Sequence, residues 1–130
     1  MRVGFVAEQA EACSGWGRYA VEVVRAVRDR GIEPVLITAR SGLDATLRPI
    51  EQHVLLPPIL TRRVETLRSL FVWRRLTRLL STCDLVHGIA EPYMPLIALS
   101  CRRRQPYVQT AHGTWAVRPF RSARRALFGP

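Results

Sequence analysis

Residues 3 to 27 constrain the fold more than any other stretch. Val3-Gly4-Phe5-Val6-Ala7 is a short, continuous apolar run, as expected of a strand covered on both faces. Ala20, Val23, Val24 and Val27 recur at i, i+3, i+4 and i+7, which is one stripe of an α-helix packed on that strand. Between them lies Cys13-Ser14-Gly15-Trp16-Gly17-Arg18-Tyr19. Its two glycines let main-chain N–H groups approach a ligand with no side chain in the way. A strand, a glycine loop and a helix in that order commonly bind something negative.

The alternation continues downstream. Arg30-Gly31 is a helix stop, since glycine past the last periodic residue takes the left-handed conformation. Pro34-Val35-Leu36-Ile37-Thr38 reads as a second buried strand, and strand, helix and strand of this kind make a right-handed crossover between parallel strands. After a looser segment with Gly42, Asp44, Pro49 and Pro57-Pro58, His53 to Leu56 is the expected third strand. Thr61 to Ser81 holds neither glycine nor proline and reads as a long helix with Thr61 as N-cap. Its apolar residues occupy two faces: Val64, Leu67, Leu70 and Phe71 on one, Val72, Trp73, Leu76, Leu79 and Leu80 nearly opposite. One straight helix does not bury both sets against one sheet, so a break near Phe71 to Trp73 or an apolar patch left for a partner is expected.

Asp84 to His87 is the next strand, followed by a helix with Pro92 in its first turn and an inward stripe of Met94, Ile97, Ala98 and Cys101. Arg102-Arg103-Arg104 then meets the negative end of that helix dipole. Pro106 to Ala111 is the last strand, ending in His112-Gly113, and Arg118 to Arg125 begins a final helix. The fold class is α/β, a doubly wound parallel sheet in one domain.

Composition narrows the function. With 130 residues, 48% hydrophobic content and a mean hydropathy of +0.01, the chain is a folded domain. It has neither an apolar run of membrane-span length nor a signal-peptide pattern, so a cytoplasmic location is expected. Cys13, Cys83 and Cys101 form no metal-ligand spacing, and their odd number speaks for reduced thiols. The net charge of +10 suggests a polyanionic partner, yet all 20 basic residues are arginine. A GC-rich genome produces that bias through codon usage alone. The arginines are dispersed and no nucleic-acid-binding motif is present, so nucleic acid is disfavoured.

In an open parallel sheet, ligands bind outside the carboxyl ends of the strands. The Gly15 loop, His87 and His112-Gly113 all follow or end strands and therefore converge on that edge. Each has a plainer alternative. The glycines would only shape a tight connection, a single histidine would only complete hydrogen bonding, Glu91 would cap a helix, and Trp16 would pack on the first helix rather than form a lid. His53 is assigned to structure. Gly15 to Ala20 formally matches the G-x-G-x-x-G/A dinucleotide fingerprint. In that motif the glycines directly follow the first strand, whereas here Glu8 to Ser14 intervene, and Thr38-Ala39-Arg40 stands where an acidic residue belongs. Arg40 would suit a 2′-phosphate. No P-loop, nucleophile elbow or metal-ligand cluster is present in the sequence.

The ordered set of Ser14 to Tyr19, Asp84 to His87 and Pro106 to Gly113 resembles the N-terminal domain of retaining GT-B glycosyltransferases. That group includes sucrose and glycogen synthases and bacterial mannosyltransferases, and the resemblance runs from Met1 to about Trp115. It implies a Rossmann-like domain of a transferase that moves a sugar from a nucleotide diphosphate donor to an acceptor hydroxyl. Anomeric configuration is retained, and neither a metal nor a cofactor beyond the donor is required. By the same resemblance, the amides of Gly15 and Gly17 lie near the donor diphosphate with Arg18 as a phosphate contact. His112 stands at the transferred sugar as the catalytic residue, and Trp16, His87, Glu91 and Gly113 line the acceptor side of the cleft.

Two departures stand out. Ser14 replaces a residue that is often glycine in the family, and no Glu-x7-Glu motif occurs. Residues 1–130 are therefore expected to be one acceptor-side domain, incomplete at its C-terminal end, without the C-terminal nucleotide-sugar domain and inactive alone. Relatives act on glycan or lipid-linked acceptors. Arg62, Arg63, Arg68, Arg74, Arg75 and Arg78 beside Leu70, Phe71 and Trp73 would form either a kinked core helix with a solvated arginine face or a surface for an anionic membrane, the latter placing the protein at its inner face. The alternatives are a non-enzymatic basic module for membrane or nucleic acid, and a dinucleotide-binding domain.

Overall fold

A computed structural model describes residues 1–58, 65–101 and 105–112, with side chains omitted for 65–71. In chain order the elements are β1 (Arg2–Val6), α1 (Gly15–Arg28), β2 (Glu33–Thr38), β3 (Glu51–Val54), α2 (Glu65–Leu80), β4 (Leu85–Gly88), α3 (Met94–Ser100) and β5 (Tyr107–Gln109). Short 3-10 turns occupy Ala45–Leu47 and Glu91–Tyr93. The five strands pair in the order β3-β2-β1-β4-β5, and every pairing is parallel. Strand order reverses between β1 and β4, so the crevice at the carboxyl ends of those two strands is where the topology leaves room for a ligand.

Two cores follow from the period of two along the strands. Val3 and Phe5 of β1 and Leu36 of β2 face α1, packing with Ala20, Val21 and Val24. Val6, Val35 and Ile37 face the other way, against Leu76 and Leu80 of α2 and Leu96 and Ile97 of α3. The sheet is therefore covered on both faces, which explains why Val3 to Val6 of β1 and Pro34 to Ile37 of β2 are apolar. The stop after α1 is also as the residues imply: Gly31 has φ of +75°, and its N–H donates to Arg28 O at 2.8 Å.

Three local expectations shift. The third strand starts two residues earlier than His53. Among the described strands β3 pairs only with β2, so as an edge strand it accommodates the polar Glu51-Gln52-His53. Leu55 and Leu56 instead leave the sheet with both N–H groups donating to Thr38 O, which drops Leu56 into the core. The helix α2 is continuous from Glu65 to Leu80, so of the two expected outcomes the break near Phe71 to Trp73 does not occur. Of its second apolar set, Leu76 and Leu80 are fully buried, with Val72 and Leu79 against the same core. In α3 the inward residues are Leu96, Ile97 and Ser100, while Met94 and Ala98 are exposed. The tighter turn before the helix sets this phase, because it buries Tyr93, whose hydroxyl donates to Pro57 O at 2.6 Å.

Thr61 to Val64, Arg102 to Arg104, Gly113 and Arg118 to Arg125 lie outside the described residues, as do the side chains of Leu67, Arg68, Leu70 and Phe71.

Candidate functional site

The loop after β1 is pinned, not loose. Ala39 N and Arg40 N both donate to Glu8 O at 3.0 and 3.2 Å, and Asp44 N donates to Ala10 O at 2.8 Å. Ala10, fully buried, bridges to Leu43 in parallel fashion. The segment thus extends the β1–β2 pairing beyond the sheet and presents the start of α1 at a set position.

Ser14 caps that helix. Its backbone is extended at φ −141° and ψ 162°, and its Oγ accepts the Gly17 N–H at 3.0 Å, satisfying one of the donors left without an intrahelical partner. Gln9 Nε2 donates to the same Oγ at 2.9 Å and to Cys13 Sγ at 3.1 Å. The substitution of serine for a glycine in this loop is therefore a functional cap. It also revises the part expected of Gly17, whose amide is already taken. What demands glycine there is packing, because a Cβ would lie 2.0 Å from Glu11 O. Gly15 has nothing within 4 Å of its Cβ position, and the amides of Gly15 and Trp16, in the first turn, are the ones that helix geometry leaves unpaired. Arg18 stands exposed one residue beyond Gly17.

A groove of about 500 Å³ opens beside this turn, lined by Glu8, Gln9, Cys13, Ser14, Gly15, Trp16 and Arg40. Arg40 Nη2 lies 3.5 Å from Glu8 Oε1. With Arg40 59% exposed, that pair adds little stability and leaves the guanidinium at the groove's rim. The sequence points to Arg40 only for a 2′-phosphate and to Ser14 only as a departure within the loop, and it does not single out Glu8 or Gln9. Ser14 was recoverable as a helix-capping residue just before an apolar stripe.

The histidines divide by environment. His53 Nε2 lies 2.6 Å from Glu51 Oε1, and the contact lowers the Glu51 carboxyl. His87 lies within β4, half-buried against Phe5 with ring centroids 5.6 Å apart. Burial pushes its pKa down from the ordinary imidazole value, which favours the neutral ring. Its Nε2 is 2.8 Å from Thr110 Oγ1. His112 lies beyond the end of β5, its ring 6.1 Å from Trp16 and 5.1 Å from Tyr19 between centroids. Its Nε2 is buried without a hydrogen-bond partner among the described residues. Glu91 opens the turn after β4, outside the groove's lining. It is not the N-cap of that turn, a position held by Ala90.

Trp16 thus belongs both to the groove and to the aromatic contact with His112, and so joins the two. Among the described residues no group of His, Cys, Asp and Glu is arranged to hold a metal ion.

The fold is similar to the crystal structure of a glycosyltransferase from Rickettsia africae ESF-5, with a TM-score of 0.64 at 14% identity. The alignment covers 97% of this chain and 34% of that one. No curated protein sequence matches. The family model for Glycosyltransferase Family 4 matches residues 13–129, from the capped turn through the strand that leads to His112 and beyond, and the chain belongs to that family.

Proposed function

We propose that this domain is the acceptor-side wall of a retaining glycosyltransferase, one that transfers a sugar from a nucleotide diphosphate donor to an acceptor hydroxyl. The observation that carries the reading is Trp16, which connects a groove at a helix N-terminus to a histidine with a buried, unpartnered Nε2. As the bond between sugar and diphosphate breaks, negative charge grows on the departing phosphate. The free amides of Gly15 and Trp16, the positive end of the α1 dipole and the Arg18 guanidinium are the groups that would meet it. This step requires no metal ion. His112 would hydrogen-bond the transferred sugar through Nε2, and Trp16 would wall the cleft against water. The acceptor would lie toward Glu8, Gln9 and Arg40, with His87 behind and Glu91 flanking. Contacts to the nucleotide base would come from outside this domain.

The test uses the full-length protein with UDP-, GDP- and ADP-hexoses and both glycan and polyprenyl phosphate acceptors. Acceptor-dependent release of nucleoside diphosphate, with a retained anomeric centre by NMR, is the expected result. His112→Ala is expected to lower kcat roughly 10²-fold. An inverted product, or an undiminished His112→Ala variant, would overturn the reading, and transfer by residues 1–130 alone would overturn the half-site assignment.

A second feature bears on the acceptor. Trp73 is 40% and Leu99 69% exposed, joined by a bond of 3.1 Å from Trp73 Nε1–H to Leu99 O, next to exposed Arg74, Arg75 and Arg78. Among the described residues no helix is long and apolar enough to cross a membrane. We propose that this surface rests on the anionic cytoplasmic leaflet and brings the site to a lipid-linked acceptor. Co-sedimentation with phosphatidylglycerol vesicles at low salt should capture the chain; none there would dismiss the surface.

A further inference from the structure

His112 lies past the last rung of β5, where Thr110 N donates to Gly88 O at 2.9 Å. The pairing of the sheet therefore does not set its ring. Two aromatic rings on one helix do. Trp16 and Tyr19 are three residues apart on α1 and share a face, and both meet the His112 imidazole, Tyr19 edge-on at 86°.

Tyr19 carries a second bond. Its hydroxyl is 3.1 Å from Thr110 Oγ1, and the same oxygen is 2.8 Å from His87 Nε2. One threonine hydroxyl has a single proton, so it donates to at most one of these neighbours, and a neutral His87 serves as either donor or acceptor. The chain Tyr19–Thr110–His87 ties α1 to β5 and β4, and the Phe5 ring lies against the imidazole at its end. A phenylalanine at position 19 would supply the same apolar contact to His112. The ring also packs against the core beneath α1, so what phenylalanine removes is the hydroxyl's bond to Thr110.

We infer that Tyr19 is a positioning residue for His112, held by Thr110 and His87 so that its ring fixes the imidazole beside Trp16. The inference rests on the proposed role of His112, but its test does not. The chain has three histidines, so each imidazole is separately readable by NMR. In residues 1–130, Tyr19→Phe and Thr110→Val should shift and broaden the His112 ring signals and weaken its contact with Trp16. Thr110→Ser, which keeps the hydroxyl, should restore both, and His53 should not move. In the full-length enzyme Tyr19→Phe should lower kcat about tenfold with an unchanged KM for the donor. His112 signals that stay put in Tyr19→Phe and Thr110→Val overturn the inference, whatever the activity. Signals that move, in a protein without transferase activity, uphold the positioning while refuting the proposed function.

Discussion

Replacing each glycine of the loop by alanine separates two roles that look alike in the sequence. At Gly17 the added methyl would sit 2.0 Å from Glu11 O, 3.2 Å from Glu11 C and 3.1 Å from Ser14 Oγ. The first of these is more than an ångström inside ordinary contact, and the obstacle is backbone. It does not yield easily, because Ala10 next to it is fully buried and its carbonyl accepts the Asp44 N–H at 2.8 Å. Forcing such a contact costs about 1–3 kcal/mol. Alanine returns up to about 1 kcal/mol in helix propensity, less this close to the helix start. The net effect of Gly17→Ala is a loss of about 1–2 kcal/mol, or roughly 4–8 °C in melting temperature for a domain of this size. Gly15→Ala meets nothing within 4 Å and should fall within about 0.5 kcal/mol of the parent. Thermal and urea denaturation followed by circular dichroism reads both. A Gly17→Ala variant as stable as Gly15→Ala would refute the claim that the Glu11 carbonyl closes this position.

Two further outcomes follow from burial. Because burial lowers the folded-state pKa of His87, the unfolded chain takes up that proton first as pH falls below about 6.5. The stability due to a neutral His87 is complete above that pH and declines below it until the folded pKa is passed. Urea melts at pH 7 and pH 5 should therefore show the gap between wild type and His87→Gln narrowing toward pH 5, and a gap that widens would refute the assignment. Among the thiols, Cys13 is exposed, Cys83 is buried and Cys101 partly so, with burial pushing the latter two upward in pKa. One thiol should react quickly with a disulfide reagent at pH 7.5, and Cys13→Ser should abolish that phase; a fast phase that survives would place the reactive thiol elsewhere.

Much of the fold was legible because its signals are local. The apolar runs Val3 to Ala7 and Pro34 to Thr38 are buried strands wherever they sit, and the stripe of α1 announces its own inner face. Elements whose burial depends on neighbours were legible only in part. The edge strand β3 needs no apolar face, so its polar Glu51 and Gln52 concealed where it begins. The phase of α3 depends on the bond from Tyr93 to Pro57, a partner 36 residues away.

The sequence by itself determined the α/β class, the glycine loop at the head of α1, the histidines near the sheet's carboxyl edge and, through its ordered motifs, the glycosyltransferase resemblance that the family match upholds. Tertiary structure alone decided which groups are free to act. It set the Gly17 Cα against the Glu11 carbonyl. It also set Tyr19, Thr110 and His87 in one chain across 91 residues of sequence. The reason is physical: a residue's type states which bonds it is able to make, and only the packed fold determines which of them are already made.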